Sequence, residues 1–154
     1  MLKAGLVGAG HLGKIHLKLL AQSDRYELIG FHDVDADNGK KLEAEFGYRY
    51  FDDFGELLQH IDMLDIVTPT LYHYDYALKA IENRKHFFIE KPVTQTLEEA
   101  EEILKKCREF GIKAQVGHVE RYNPAFIATK EYINNPMFIE IHRLAEFNPR
   151  GTDV

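Results

Sequence analysis

A single cysteine, Cys107, stands among 154 residues. No intrachain disulfide can form, and the usage fits a reducing compartment. Long apolar runs are missing too: no stretch approaches the ~20 residues that span a bilayer. Positive charge is in short supply. Lys and Arg number 19 against 25 Asp and Glu, a net charge of -6, whereas a nucleic-acid partner recruits basic patches. The aromatic residues are dispersed rather than interleaved with Arg and Lys, so no base-stacking platform is indicated. The N-terminus, Met1-Leu2-Lys3-Ala4-Gly5-Leu6-Val7, lacks the charged, apolar, small-residue order of a secretory signal. The cytoplasm is therefore the expected compartment. Repeats and low-complexity tracts are absent as well.

What remains is 45% hydrophobic, enough for one well-buried core. Its periodicity alternates along the chain. Leu2 to Val7 reads as a strand, and Leu12, Ile15, Leu19 and Leu20 recur at helical spacing from His11 to about Ser23. Glu27 to Phe31 is a second strand. Asp35 or Asp37 caps a helix that Gly47 stops after Phe46. A short strand is expected near Arg49 to Phe51, and a small helix or turn at Phe54, Leu57 and Leu58.

Met63 to Val67, His86 to Ile89 and Lys113 to Val116 complete the strands. Between them fall helices over Tyr72 to Glu82 and from Thr96 to Phe110. Thr96 and Glu99 have the spacing of a capping box, Glu102 and Lys106 that of an exposed ion pair, and Gly111 closes the second helix. Cys107 reads as a small core residue. Strands alternating with helices of this length predict an α/β fold, a Rossmann-type doubly wound parallel sheet over residues 1–120. Residues 121–154 break the rhythm. They read as a crossover helix from Asn123-Pro124 to about Tyr132 and a strand over Met137 to Leu144, the start of a second α/β domain for substrate or oligomerisation. An unpaired strand there is expected to pair with another chain, pack back on the Rossmann core or be poorly ordered, the first of which would give a homo-oligomer through the tail strand.

Gly8-Ala9-Gly10-His11-Leu12-Gly13 follows the first strand and opens the first helix, and Asp33 lies 20 positions past Gly13 at the end of the next strand. That context predicts a dinucleotide site. Gly8 permits the turn, Gly10 lets a pyrophosphate approach, and Gly13 lets the helix close on the sheet. The phosphates then meet unpaired helix N–H groups. Asp33 is placed to accept from the adenosine ribose hydroxyls, and Val34 supplies no cation for a 2'-phosphate, which favours NAD over NADP.

Three further clusters fall at strand ends, where such folds bind ligands. They are Thr68-Pro69-Thr70 with His73, Glu90-Lys91-Pro92, and Gly117-His118 with Arg121-Tyr122. Thr68 and Pro69 would wall the nicotinamide ribose. His73 either points at the cofactor or is a solvated or core-satisfied histidine. Lys91, its backbone held by Pro92, is either a surface lysine or a donor to a substrate hydroxyl or ribose. Glu90 pairs with a basic group or stabilises the loop. His118, Glu120 and Arg121 have no metal-ligand spacing.

Together these elements resemble the glucose–fructose oxidoreductase, inositol dehydrogenase and rhizopine catabolism (Gfo/Idh/MocA) family, with Glu90-Lys91-Pro92 as the most specific mark. The likeness runs over essentially the whole chain, which matches the front half of such enzymes. It implies NAD(P)-dependent oxidation of sugars, sugar nucleotides, inositols or related polyols. Lys91 would bind substrate and handle its proton, and Arg121 would help to hold cofactor or substrate. Arg150-Gly151-Thr152-Asp153-Val154 is similar to members that oxidise the 3-hydroxyl of nucleotide-linked N-acetylglucosamine sugars. The aspartate and histidine that complete the catalytic group in the family would come from the second domain. The alternative reading is a non-catalytic dinucleotide-binding module with a sensing or scaffolding role.

Overall fold

Leu2–Val7 (β1) buries four consecutive residues, Ala4 to Val7. A strand does so only when both faces of its sheet are covered. In the computed structural model, which describes residues 1–142 and 144, β1 lies inside a five-stranded parallel sheet ordered β2-β1-β3-β4-β5. Its companions are Tyr26–His32 (β2), Met63–Ile66 (β3), His86–Ile89 (β4) and Ala114–Val116 (β5). The helices are His11–Gln22 (α1), Ala36–Phe46 (α2), Phe54–His60 (α3), His73–Glu82 (α4) and Leu97–Phe110 (α5).

Two apolar cores result. Leu17 and Leu20 of α1 and Leu42 of α2 pack with Ala4, Leu6 and Phe31 in one. In the other, Leu57, Ala77, Ile81, Ile103 and Cys107 from α3, α4 and α5 pack with Leu64, Ile66, Phe87 and Ile89. The order of the strands reverses beside β1, because the chain moves to β2 on one side and to β3 on the other. The carboxyl ends of β1 and β3 therefore open a crevice at that switch.

The helix ends carry the residues the sequence implies. Asp35 accepts the Asn38 N–H at 3.0 Å to start α2, and Gly47 ends it with φ 74°. The Thr96–Glu99 capping box is complete at α5, and Gly111 closes that helix with φ 67°. Such a cap stabilises a helix by about 1 kcal/mol. Glu102 and Lys106 pair at 3.6 Å.

Two elements differ from expectation. Arg49 to Phe51 is not a strand. Only Tyr50 makes a bridge, to Phe31, through the bonds Phe31 N–H to Arg49 O and Phe51 N–H to Phe31 O. The segment touches the outer edge of β2 at one point and then turns into α3, so no ladder extends. Met137 to His142 and Leu144 are likewise not in a strand. Their apolar side chains are exposed, Met137, Ile141 and Leu144 almost fully, and among the described residues the apolar pattern has no ladder to join.

The first compact unit is Met1–Gly117, and the second begins at His118, slightly ahead of the expected boundary at residue 120. The second unit contains the helix Pro124–Thr129 (α6), capped by Asn123, and a 3-10 turn over Lys130–Tyr132. The stretch from Arg150 to Val154 lies outside the described residues. Among those described, no helix is long and apolar enough to cross a membrane.

Candidate functional site

Each strand of the first unit ends on a residue singled out above or its direct neighbour: Gly8 after β1, Asp33 after β2, Thr68 past β3, Glu90 after β4 and Gly117 after β5. The three glycines of the loop have different geometric duties. Gly8 takes φ +94°, and a Cβ there would lie 2.7 Å from the Thr68 nitrogen. Gly13 is buried, and its Cβ would sit 2.0 Å from the Gly8 carbonyl oxygen. Both are needed to close the loop on the sheet. Gly10 differs: nothing lies within 4 Å of its Cβ position. The space over Gly10 is open, at the N-cap of α1, where no side chain occupies the first-turn N–H groups. His11 and Leu12 expose their side chains in that turn.

Asp33 is fastened to this loop. One carboxylate oxygen accepts the Ala9 N–H at 2.6 Å, and the other accepts the Asp35 N–H at 2.9 Å. Asn38 donates to the Ala9 carbonyl at 3.4 Å, and the Tyr50 hydroxyl donates to the Asp33 carbonyl at 3.2 Å. Each carboxylate oxygen keeps a second acceptor direction. Val34, beside it, is 84% exposed.

Across the switch lie Thr68 and Pro69. The Thr68 hydroxyl is buried and has no hydrogen-bond partner, a cost that a buried polar group carries only until something satisfies it. His73 has the surroundings of a core-satisfied histidine, one of its two readings. It is 1% exposed, and its ring nitrogens face the Pro92 carbonyl at 2.8 Å and the Thr68 carbonyl at 2.9 Å. The ring is consumed in clamping the Thr68 loop to the Lys91-Pro92 turn, and it offers no nitrogen to a cofactor. The Lys91–Pro92 peptide is cis, Pro92 is half-buried, and the Lys91 side chain is exposed.

Glu90 is buried, one oxygen lies 3.6 Å from the His16 ring, and the other accepts the Lys91 N–H at 3.3 Å. His16 Nδ1 meets Asp65 at 2.9 Å. Burial pulls the His16 pKa down, but the bond to Asp65 and the charges of Asp65 and Glu90 together outweigh it and leave it above 6.5. Burial pushes the Asp65 carboxyl up, against the pull of His16. The pair holds one proton more firmly than its members would apart. Neither residue stood out in the sequence. The available signal was an acid inside the apolar run Met63-Leu64-Asp65-Ile66-Val67, since a buried carboxylate needs a partner.

Arg121 is exposed in the second unit, on the 3-10 turn Val119–Tyr122. Among the described residues no group of three or more His, Cys, Asp or Glu side chains is arranged to hold a metal ion.

The open space over Gly10, the tethered Asp33 carboxylate and the partnerless Thr68 hydroxyl fit a dinucleotide lying across the switch point. The model of the Gfo/Idh/MocA oxidoreductases, described by an NAD-binding Rossmann fold, matches residues 2–118. The chain belongs to this family. Among its Gfo/Idh/MocA relatives, the UDP-N-acetylglucosamine 3-dehydrogenase of Acidithiobacillus ferrooxidans is 33% identical over 154 residues, 99% of this chain and 49% of that protein. Its solved structure superposes with a TM-score of 0.90 over 99% of this chain and 50% of its own. The scyllo-inositol 2-dehydrogenase (NAD(+)) of Bacillus subtilis is 35% identical over 136 residues, 86% of this chain and 40% of that protein. GenD2 from gentamicin A biosynthesis, solved in complex with NAD, is 26% identical with a TM-score of 0.80, covering 85% of this chain and 38% of its own. The chain thus spans about half the length of the curated relatives it matches. It carries the NAD-binding Rossmann fold of the Gfo/Idh/MocA family. A non-catalytic sensing or scaffolding role finds no support among these relatives.

Proposed function

We propose that this Gfo/Idh/MocA chain binds NAD across the crevice between Gly10 and Thr68. There it serves hydride transfer between the nicotinamide and a sugar, sugar-nucleotide or polyol hydroxyl. The observation that carries the reading is the empty approach over Gly10, with the Asp33 carboxylate beside the loop and the unsatisfied Thr68 hydroxyl across the switch. The first-turn N–H groups of α1 would hold the pyrophosphate, and Asp33 would accept from both ribose hydroxyls. A 2'-phosphate would face that carboxylate with only Val34 alongside, so NAD is preferred to NADP.

Bound NAD supplies the hydride acceptor, and the chain supplies position and proton handling. Thr68, with Pro69, lines the nicotinamide side. Lys91 sits on a turn locked by Glu90 from within and by His73 through Pro92, and its uncharged side-chain amine would take the proton released from the hydroxyl, becoming the ammonium. Holding the carbinol carbon and the nicotinamide at reacting distance would provide much of the rate. The relatives that act on UDP-N-acetylglucosamine and scyllo-inositol support this substrate class.

Calorimetry with NADH and NADPH, followed by NAD reduction assays on UDP-N-acetylglucosamine and scyllo-inositol, tests the proposal. Saturable NADH binding is expected, tighter than NADPH by about tenfold, with NAD reduction on at least one of the two substrates. Failure to bind NADH, or a preference for NADPH, would overturn the cofactor assignment. NAD reduction on neither substrate would count against the substrate class.

A further inference from the structure

Three ionisable side chains outside the hydride chemistry meet beside the phosphate-loop helix. His16 projects from the second turn of α1 and lies between Asp65 of β3 and Glu90 at the end of β4. Those two carboxylates are the charged groups that face the ring among the described residues, and the Phe88 ring flanks it at 6.0 Å. Side-chain exposure is 15% for His16, 5% for Asp65 and 8% for Glu90. The Glu90 carboxylate is boxed in. A Cβ on Gly117 would lie 2.5 Å from its Oε1, so a larger residue there would displace the carboxylate. Its Oε2 accepts the Lys91 N–H.

The two contacts of the ring restrict its protonation. A neutral imidazole donating from Nδ1 to Asp65 would turn the Nε2 lone pair toward the Glu90 oxygen 3.6 Å away. An imidazole with both N–H groups faces an acceptor on either side and gains Coulomb attraction where dielectric screening is weak.

We propose that His16, carrying both N–H groups, is a positioning residue that ties the helix under the pyrophosphate to Glu90 and so sets the Lys91 turn in register with the glycine loop. The proposal rests on the NAD reading of the site. The connection runs from α1 through His16 and the Glu90 carboxylate to the Lys91 amide, linking the adenosine-phosphate end of the site to its nicotinamide end. Partners one shell removed from a reacting group commonly set its placement in this way.

The test compares two ligands and two variants on the 154-residue protein. ADP-ribose reaches the glycine loop and Asp33 but lacks the nicotinamide, whereas NADH engages both ends. His16→Gln is expected to raise the NADH Kd by about fivefold to tenfold while changing the ADP-ribose Kd by less than about twofold. In wild type the NADH affinity falls as pH rises and the ring loses its second proton, and in His16→Gln that slope disappears. Glu90→Gln, which keeps the shape and removes the charge, is expected to give the same selective loss. Equal loss of both ligands would mean that His16 merely supports the helix, and would overturn the proposal.

Two arms need no ligand. Imidazole nitrogen shifts of the wild-type protein are expected to show both His16 nitrogens protonated at neutral pH, and a single protonated nitrogen overturns the proposal without any substitution. The Lys91 amide resonance is expected to move on His16→Gln, and an unmoved resonance counts against the coupling. If wild type binds neither ligand, the NAD reading fails, while these two arms still decide the coupling.

Discussion

The Asp33 carboxylate accepts the Ala9 N–H at 2.6 Å, so the acid that would read the ribose and the loop that would cradle the phosphates are one mechanical unit. Asp33→Ala should therefore damage both. It removes the ribose acceptor and frees the Ala9 amide. NADH affinity should fall by about tenfold or more, with stability lower by roughly 1–2 kcal/mol. Fluorescence titration and urea unfolding measure the two effects separately. An unchanged unfolding midpoint would show that the Ala9 bond contributes nothing.

Gly10 and Gly13 should separate binding from folding. A Cβ at position 10 meets nothing, whereas one at position 13 strikes the Gly8 carbonyl. Gly10→Val is expected to leave thermal stability within roughly 0.5 kcal/mol and to abolish NADH binding. Gly13→Ala is expected to lower stability by about 2–4 kcal/mol, because backbone rather than a flexible side chain must move. Circular dichroism melts of the two variants check this. Equal melting behaviour would contradict the geometry.

His73→Phe should act on the loops rather than on a ligand contact. It removes the imidazole held between the Thr68 and Pro92 carbonyls and leaves the one to which the ring donates without its buried donor, costing about 1–3 kcal/mol. Amide exchange should quicken around Thr68 and Lys91 before it quickens in β1. Exchange rates unaltered in both loops would refute the clamp.

The His16–Asp65 pair fixes the sign of a pH dependence. The folded-state pKa of His16 is raised above 6.5, so its contribution is full below that value and is lost as pH climbs through the higher folded value. Asp65 is raised above 3.8 by burial and acts in the same direction. The folded protein binds more protons than the unfolded chain, and stability falls as pH rises. Urea unfolding between about pH 6 and 9 should show this decline. The double variant His16→Gln/Asp65→Asn should flatten it. A decline of equal slope in the double variant would assign it to other groups.

The sequence made the sheet and the phosphate loop legible because both depend on local rules: period two giving way to helical period, glycines at a strand–helix junction, caps at Asp35 and Thr96. Asp33 was legible for the same reason, since its spacing from Gly13 reflects one crossover. Long-range placement was not. Tyr50 reaches β2 for one bridge only, which no local pattern reveals, and Met137 to His142 has strand chemistry but joins no ladder among the described residues. His73 lies where a ligand contact is one reading, yet its ring nitrogens face the Thr68 carbonyl five residues back and the Pro92 carbonyl 19 residues on. His16, Asp65 and Glu90 come from three elements, and only the fold brings the ring between the acids.

The central claim is that the space over Gly10 is a dinucleotide site. Calorimetric titration of NADH into the 154-residue protein and into Gly10→Val tests it most directly. One NADH per chain on wild type, with no heat of binding on the folded variant, is the predicted result. No binding to wild type, or equal binding to both proteins, would contradict it.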